Sequence, residues 1–161
     1  KKFTLKEKIP DKCQAILNDI NSSESVCIHI RRGDYASDHE VASIHGLCSL
    51  DYYYKCVNDI VKTISNPSFF VFSDDPRWAK KNLKLNFQTT FVDINNTPHN
   101  PHHDLFLMMS CKYFIIANST YSWWGAWLSS YAYKKVYAPI NWFVKDKLTC
   151  SDLIPIEWIR F

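Results

Sequence analysis

"CIHIRRGDYA", residues 27–36, decides the fold, because an apolar β-rich run, "VCIHI" (26–30), ends abruptly on two arginines and an aspartate. The run reads as a buried β-strand. Orderly hydrophobic patterning does not normally crowd charge at the end of such a strand. His29, Arg31, Arg32 and Asp34 are therefore the first place to look for a ligand.

Working outward, strand and helix signals alternate. "LDYYYKCVNDIVKTI" (50–64) repeats apolar residues at helical spacing, and "FFVFS" (69–73) is an apolar run bounded by Asn66-Pro67 and Asp74-Asp75. "DDPRWAKKNL" (74–83) reads as a helix opened by Asp and Pro, "TTFVDI" (89–94) as a strand and "NNTPHNPHH" (95–103) as a loop. The last third repeats the scheme with helix 104–111, strand 113–117, helix 119–132 and strand 134–139. This βαβαβα rhythm predicts an α/β fold, a Rossmann-like parallel sheet flanked by helices, in one domain spanning residues 1–161. Ligands of such sheets bind outside the carboxyl ends of the strands.

Composition narrows the chemistry. A net charge of +3 from 19 basic and 16 acidic residues, without a run of like charges, gives no support to nucleic-acid binding or a polybasic anchor. Three glycines are too few for a dinucleotide fingerprint or a Walker loop, so a phosphate would have to be held by side chains and helix ends. The six cysteines form no C-x-x-C pair, and Cys27 and Cys111 lie in apolar stretches, which points to a reducing, cytoplasmic setting. No segment approaches the roughly 18 apolar residues of a transmembrane helix; peripheral membrane association stays open. The chain opens "KKFTLKEKIP" without an initiating Met, as a piece of a longer protein would.

Three polar clusters fall at strand carboxyl ends: His29 to Asp34, Ser73-Asp74-Asp75, and Asn118-Ser119-Thr120 with Ser122. Arginine suits a diphosphate because its planar fork donates two parallel charge-assisted hydrogen bonds. Adjacent arginines in extended chain face opposite ways, so one can reach a ligand while the other pairs with a carboxylate such as Asp34. The bland alternative is a pair of surface ion pairs worth about 0–1 kcal/mol each. The strand-end position favours the ligand. "NST" before an apolar helix offers hydroxyls and free amides to an anion, or is an ordinary cap. Asp75 before Pro76 reads as a helix cap rather than a cation ligand, and Trp123, Trp124 and Trp127 read as core. His99, His102 and His103 lack the spacing of a zinc site, whereas Asp104, where a helix begins, could accept from a guanine edge.

"HIRRGDY" (29–35), "HGLCSLDYYYKC" (45–56), "FFVFSDDPRWAKKNL" (69–83) and "HHDLFLMMSCKYFIIANSTYSWWGAWLS" (102–129) together resemble the bacterial branch of glycosyltransferase family 11, the α-1,2-fucosyltransferases. The blocks stand in family order over nearly the whole chain. The resemblance implies the C-terminal, donor-binding half of a GT-B-like enzyme that passes L-fucose from GDP-fucose, with inversion and without a metal, to the 2-hydroxyl of a galactose-terminated acceptor. It further implies that Arg31 meets the β-phosphate, that His29 lies near the nucleotide, that the Asp104 region reads guanine and that hydroxyls of 119–122 touch the diphosphate. The glycine-rich N-terminal half of that family has no counterpart in these residues, so the chain on its own is expected to transfer poorly or not at all.

Arg31, Asp34 and Glu40 are the candidate catalytic residues. His29, Arg31, Arg32, Asp75, Asp104, Asn118, Ser119, Thr120 and Ser122 are the candidate donor-binding set. Asp34, Asp38, Glu40 and His45 all remain open as the general base, with Glu40 preferred and Asp34 a possible anchor for Arg32. A non-catalytic nucleotide- or glycan-binding module, and a metal-dependent transferase using Asp74-Asp75, remain alternatives.

Overall fold

A computed structural model describes Leu5 and residues 8–93, 101–144 and 152–161. Helix α1 (Asp11–Ser22) leads into strand β1 (Glu24–Ile30); two short helices, α2 (Gly33–Ser37) and α3 (His39–His45), precede α4 (Leu50–Ile60). Then follow β2 (Pro67–Ser73), α5 (Pro76–Asn82), β3 (Thr89–Phe91), α6 (Pro101–Ser110), β4 (Tyr113–Ile115), α7 (Thr120–Leu128), β5 (Val136–Ala138) and β6 (Ile159–Arg160). Every strand pairing is parallel, and the sheet order is β3-β2-β1-β4-β5-β6. The expected Rossmann-like α/β arrangement is therefore present.

The strands alternate between two cores. Val26, Ile28 and Ile30 of β1 with Phe69 and Val71 of β2 pack on Tyr53, Cys56, Val57 and Ile60 of α4 and Ala79 of α5. Cys27, Phe70 and Phe72 point the other way, onto Cys13 and Ile20 of α1, Leu107 and Met108 of α6 and Ala126 of α7. Burial on both faces is why these strands read as continuous apolar runs. Strand order reverses between β1 and β4, so a crevice opens at the carboxyl ends of those two strands.

Several local expectations need correction. Helix α1 adds to the expected elements: Cys13, Ile16, Leu17 and Ile20 carry a helical stripe, but surrounding Asn, Asp and Ser residues dilute it. Glu40 lies in the first turn of α3, an element the sequence pattern does not announce, capped by Asp38, whose carboxylate accepts from Glu40 N–H at 2.9 Å and Val41 N–H at 3.2 Å. His102 and His103 belong to the first turn of α6 rather than to a loop, because Pro101 opens that helix; His99 lies outside the described residues. Helix α7 ends at Leu128, not at 132. Nor are its tryptophans all core. The close-packed face is made of Ser122, Gly125 and Ala126, and a Cβ on Gly125 would come within 3.1 Å of Met108, so the bulky Trp124 and Trp127 flank it about half exposed.

Candidate functional site

At the crevice, the end of β1 supplies His29, and the first residue beyond the strand is Arg31. His29 faces the α6–α7 side, 4% exposed, with its ring 5.7 Å from that of Tyr121. Its main-chain carbonyl accepts the hydroxyl of Tyr53 at 3.1 Å, while Nδ1 is buried without a hydrogen-bond partner among the described residues. Burial, aided by the positive charge of Arg31, pulls its pKa down to about 3. The ring is neutral at any physiological pH, so it offers an uncharged polar edge rather than a cation.

Arg31 is the centre of charge. Nη2 donates to Asp34 Oδ1 at 2.7 Å, Nη1 lies 3.1 Å from Asp74 Oδ2, and the guanidinium carbon stands 5.3 Å from the Tyr35 ring centroid. Asp34 thus anchors Arg31 and not Arg32, which corrects the expected pairing. The chain turns into α2 at Gly33, and i,i+3 spacing brings Asp34 back beneath Arg31. Arg32 faces away as its neighbour-opposed position requires, with its guanidinium 3.8 Å over the Trp78 ring and a buried Nε that has no hydrogen-bond partner among the described residues.

A cleft of about 200 Å³ runs between these groups and α6, walled by His29, Arg31, Ser73 and Asp74 on the sheet side and by Pro101, Asp104 and Tyr121 on the helix side. Tyr121 donates its hydroxyl to the Pro101 carbonyl, fastening the start of α6 to α7; burial raises the pKa of that phenol. The structure therefore brings His29, Arg31 and Asp104 to one cleft and places Asp34 on the back of Arg31. Tyr121 and Asp74 join them in the cleft, and Tyr35 stands against Arg31 outside its lining. Asp74 is visible in the sequence at a strand end, but the two tyrosines carry no signal that separates them from packing residues.

Other candidates have different employments. Asp75 caps α5, accepting from Trp78 N–H at 3.0 Å, as expected of Asp before Pro. Asn118 is 2% exposed; its amide donates to the carbonyls of His45 at 2.7 Å and Trp142 at 3.3 Å, and its oxygen accepts from Cys48 Sγ at 3.4 Å. It is a strut beside a second hollow of about 510 Å³. Ser122 donates to the carbonyls of Ala117 and Ser119. Ser119 is the N-cap residue of α7, yet its hydroxyl makes no capping bond, and Thr120 is exposed. Glu40 is exposed and is not among the residues lining the cleft. Among the described residues, no three His, Cys, Asp or Glu side chains converge as metal ligands, and no helix is long and apolar enough to cross a membrane.

A doubly wound sheet whose switch-point cleft is lined by one arginine, two aspartates and an uncharged buried histidine defines the class: an α/β domain with a polar small-molecule cleft at the carboxyl ends of its strands. The family model for glycosyl transferase family 11 matches residues 2–161, and the chain belongs to that family. It is 42% identical over 142 residues (88% of this chain, 49% of the relative) to an alpha-1,2-colitosyltransferase of Escherichia coli. It is 40% identical over 136 residues (83% and 45%) to the O-antigen biosynthesis glycosyltransferase WbnK of the same organism. A mouse galactoside 2-alpha-L-fucosyltransferase, Sec1, is 28% identical over 134 residues (80% and 36%). The chain thus spans half or less of the length of these relatives. No solved structure matches it.

Proposed function

We propose that this chain is the donor-binding half of an inverting glycosyltransferase that moves L-fucose from GDP-fucose to a galactoside 2-hydroxyl, and that it needs no metal. The observation that carries the reading is Arg31, held at the switch point of the sheet beside a neutral His29 whose Nδ1 is unpaired among the described residues. In the proposed step the acceptor oxygen attacks the anomeric carbon, the bond from that carbon to the β-phosphate oxygen breaks, a base takes the hydroxyl proton and GDP departs. Arg31 answers the charge that develops on the departing phosphate, and fixed donors of this kind contribute heavily to enzymic rate acceleration. Asp104 faces the nucleobase from α6 and the start of α7 lies toward the phosphates. For the base, Asp38 is occupied in capping and Asp34 in pairing, which leaves Glu40 and His45, and Glu40, outside the cleft lining and exposed to an incoming acceptor, is the preferred residue.

Calorimetric titration with GDP in EDTA, beside Arg31→Ala, tests the core of this reading. Saturable binding that weakens sharply in the variant supports it. Binding that requires a divalent cation would turn the reading toward metal-dependent transfer, and GDP binding without sugar transfer by the full-length protein would turn it toward a non-catalytic module. A second donor reading, GDP-colitose, is favoured by the 42% identity to a colitosyltransferase, and competition between the two sugar nucleotides separates them. We place the protein in a reducing compartment as part of the same proposal, since Cys13, Cys27, Cys48, Cys56 and Cys111 are free thiols.

A further inference from the structure

Asp74 has no role in the reading so far, and its setting is unusual. It follows β2, whose Ser73 pairs with Ile30, so it stands level with Arg31 on the neighbouring strand. Its two oxygens are divided between neighbours: Oδ1 accepts the main-chain N–H of Arg32 at 2.8 Å, and Oδ2 lies 3.1 Å from Arg31 Nη1. The space around it is also reserved. A Cβ on Gly33 would come 2.6 Å from Oδ2 and 3.3 Å from Cγ, so no side chain at position 33 fits while the carboxylate stays where it is. Gly33 has no positive φ; close approach, not backbone freedom, is what glycine supplies here.

From this geometry we propose that Asp74 is the positioning residue of the donor site, holding Arg31 with one oxygen and the turn after β1 with the other so that the guanidinium meets the diphosphate in a fixed place. The inference rests on the donor-site reading above and deepens it. Asp34 is less suited to that task. Its side chain is 47% exposed against 22% for Asp74, and it belongs to the same short segment as Arg31, so it moves with the group it would have to fix. A clamp has to come from another part of the frame, and β2 provides one.

Charge gives the idea a sign. By Coulomb's law alone a carboxylate beside a diphosphate repels it, so neutralising Asp74 should tighten GDP binding. Positioning demands the reverse. Asparagine has one acceptor oxygen where aspartate has two, so either Arg32 N–H or Arg31 Nη1 loses its partner and the guanidinium drifts.

The test is GDP titration of the full-length protein carrying Asp74→Asn, Gly33→Ala, Arg31→Ala or the Arg31→Ala/Asp74→Asn pair, with the thermal midpoint of each. The expected result is about a tenfold weaker Kd for Asp74→Asn, in the range of one lost charge-assisted hydrogen bond. Gly33→Ala should weaken GDP binding as well while removing no polar group, and the double variant should bind no more weakly than Arg31→Ala alone. Unchanged or tighter GDP binding by Asp74→Asn overturns the proposal, as do additive losses in the double variant. Should Asp74→Asn not fold, Gly33→Ala carries the test; collapse of both means a purely structural role and overturns it too. GDP binding sharply weakened in Arg31→Ala but unchanged in Asp74→Asn sinks the clamp and leaves the donor site standing, whereas wild-type binding by Arg31→Ala sinks the donor site itself.

Discussion

The two ends of the same strands treat charge in opposite ways. At the amino edge, Glu24 at the start of β1 accepts from Lys112 Nζ at 2.7 Å and from the Tyr113 hydroxyl at 3.1 Å. Lys134 Nζ donates to the carbonyls of Ala126, Trp127 and Ser129 at 2.9–3.0 Å, closing the last turn of α7 ahead of β5. At the carboxyl edge, Nδ1 of His29, Nε of Arg32 and Nδ1 of His45 are buried without hydrogen-bond partners among the described residues, and one arginine is shared by two carboxylates. Native structures rarely leave buried polar atoms unpaired. Charge alone therefore does not mark a site; charge gathered where the fold leaves polar groups unanswered does.

The sharpest way to break this comparison is to remove the central cation at the carboxyl edge. Arg31→Ala in the full-length protein should lower the transfer rate by about 10²- to 10³-fold, the loss expected when one fixed transition-state donor is deleted. A steady-state assay retaining more than about a tenth of the rate would make Arg31 an ordinary ion-pair residue like Lys112.

His29 should report the same edge through pH. Its folded pKa of about 3 lies below its ordinary value of 6.5, so between those limits the unfolded chain binds a proton that the folded chain refuses. Stability is therefore unaffected by this group above pH 6.5 and falls by at most about 1.4 kcal/mol per unit as pH drops toward 3. Urea midpoints measured from about pH 7 to about pH 4.5 should fall less steeply for His29→Gln than for the wild type. Parallel slopes would mean that the ring is not buried neutral.

The amino edge should behave as scaffold only. Lys134→Ala frees three carbonyls at the end of α7 and should cost about 1–2 kcal/mol of stability with GDP affinity unchanged. A loss of GDP binding would join the two edges and blur the contrast. Glu24→Gln should be the mildest change, under about 1 kcal/mol, since surface ion pairs contribute little. The hydrogen bond from Lys112 holds the Glu24 pKa below its ordinary value, so whatever this pair adds is present at neutral pH and is lost as pH falls into the acid range. A thermal-melt difference between wild type and Glu24→Gln that widens on acidification would contradict that sign.

Much of the fold is legible in the residues alone. Apolar runs at 26–30 and 69–73, separated by a helical stripe at 50–64, describe strands buried on both faces, and that pattern forces helices onto both sides of a parallel sheet. Asp before Pro76 announces the cap of α5, and adjacent arginines in extended chain have to face apart. The short helices α2 and α3 escape such a reading because five and seven residues carry too few periods to register as a stripe.

The layered α/β class and the segment on which the charge is gathered follow from local pattern alone, and the family from the resemblance of the four motif blocks. Which carboxylates hold Arg31, that His29 is uncharged, that Asn118 is a strut and that the exposed tryptophans flank a seam of small residues are set by packing in three dimensions. Those outcomes depend on strand order, because β1 lying between β2 and β4 sets Asp74 on one side of Arg31 and the start of α7 on the other. Residues 42 or 83 positions apart become neighbours through the sheet's register, and no local periodicity encodes that distance.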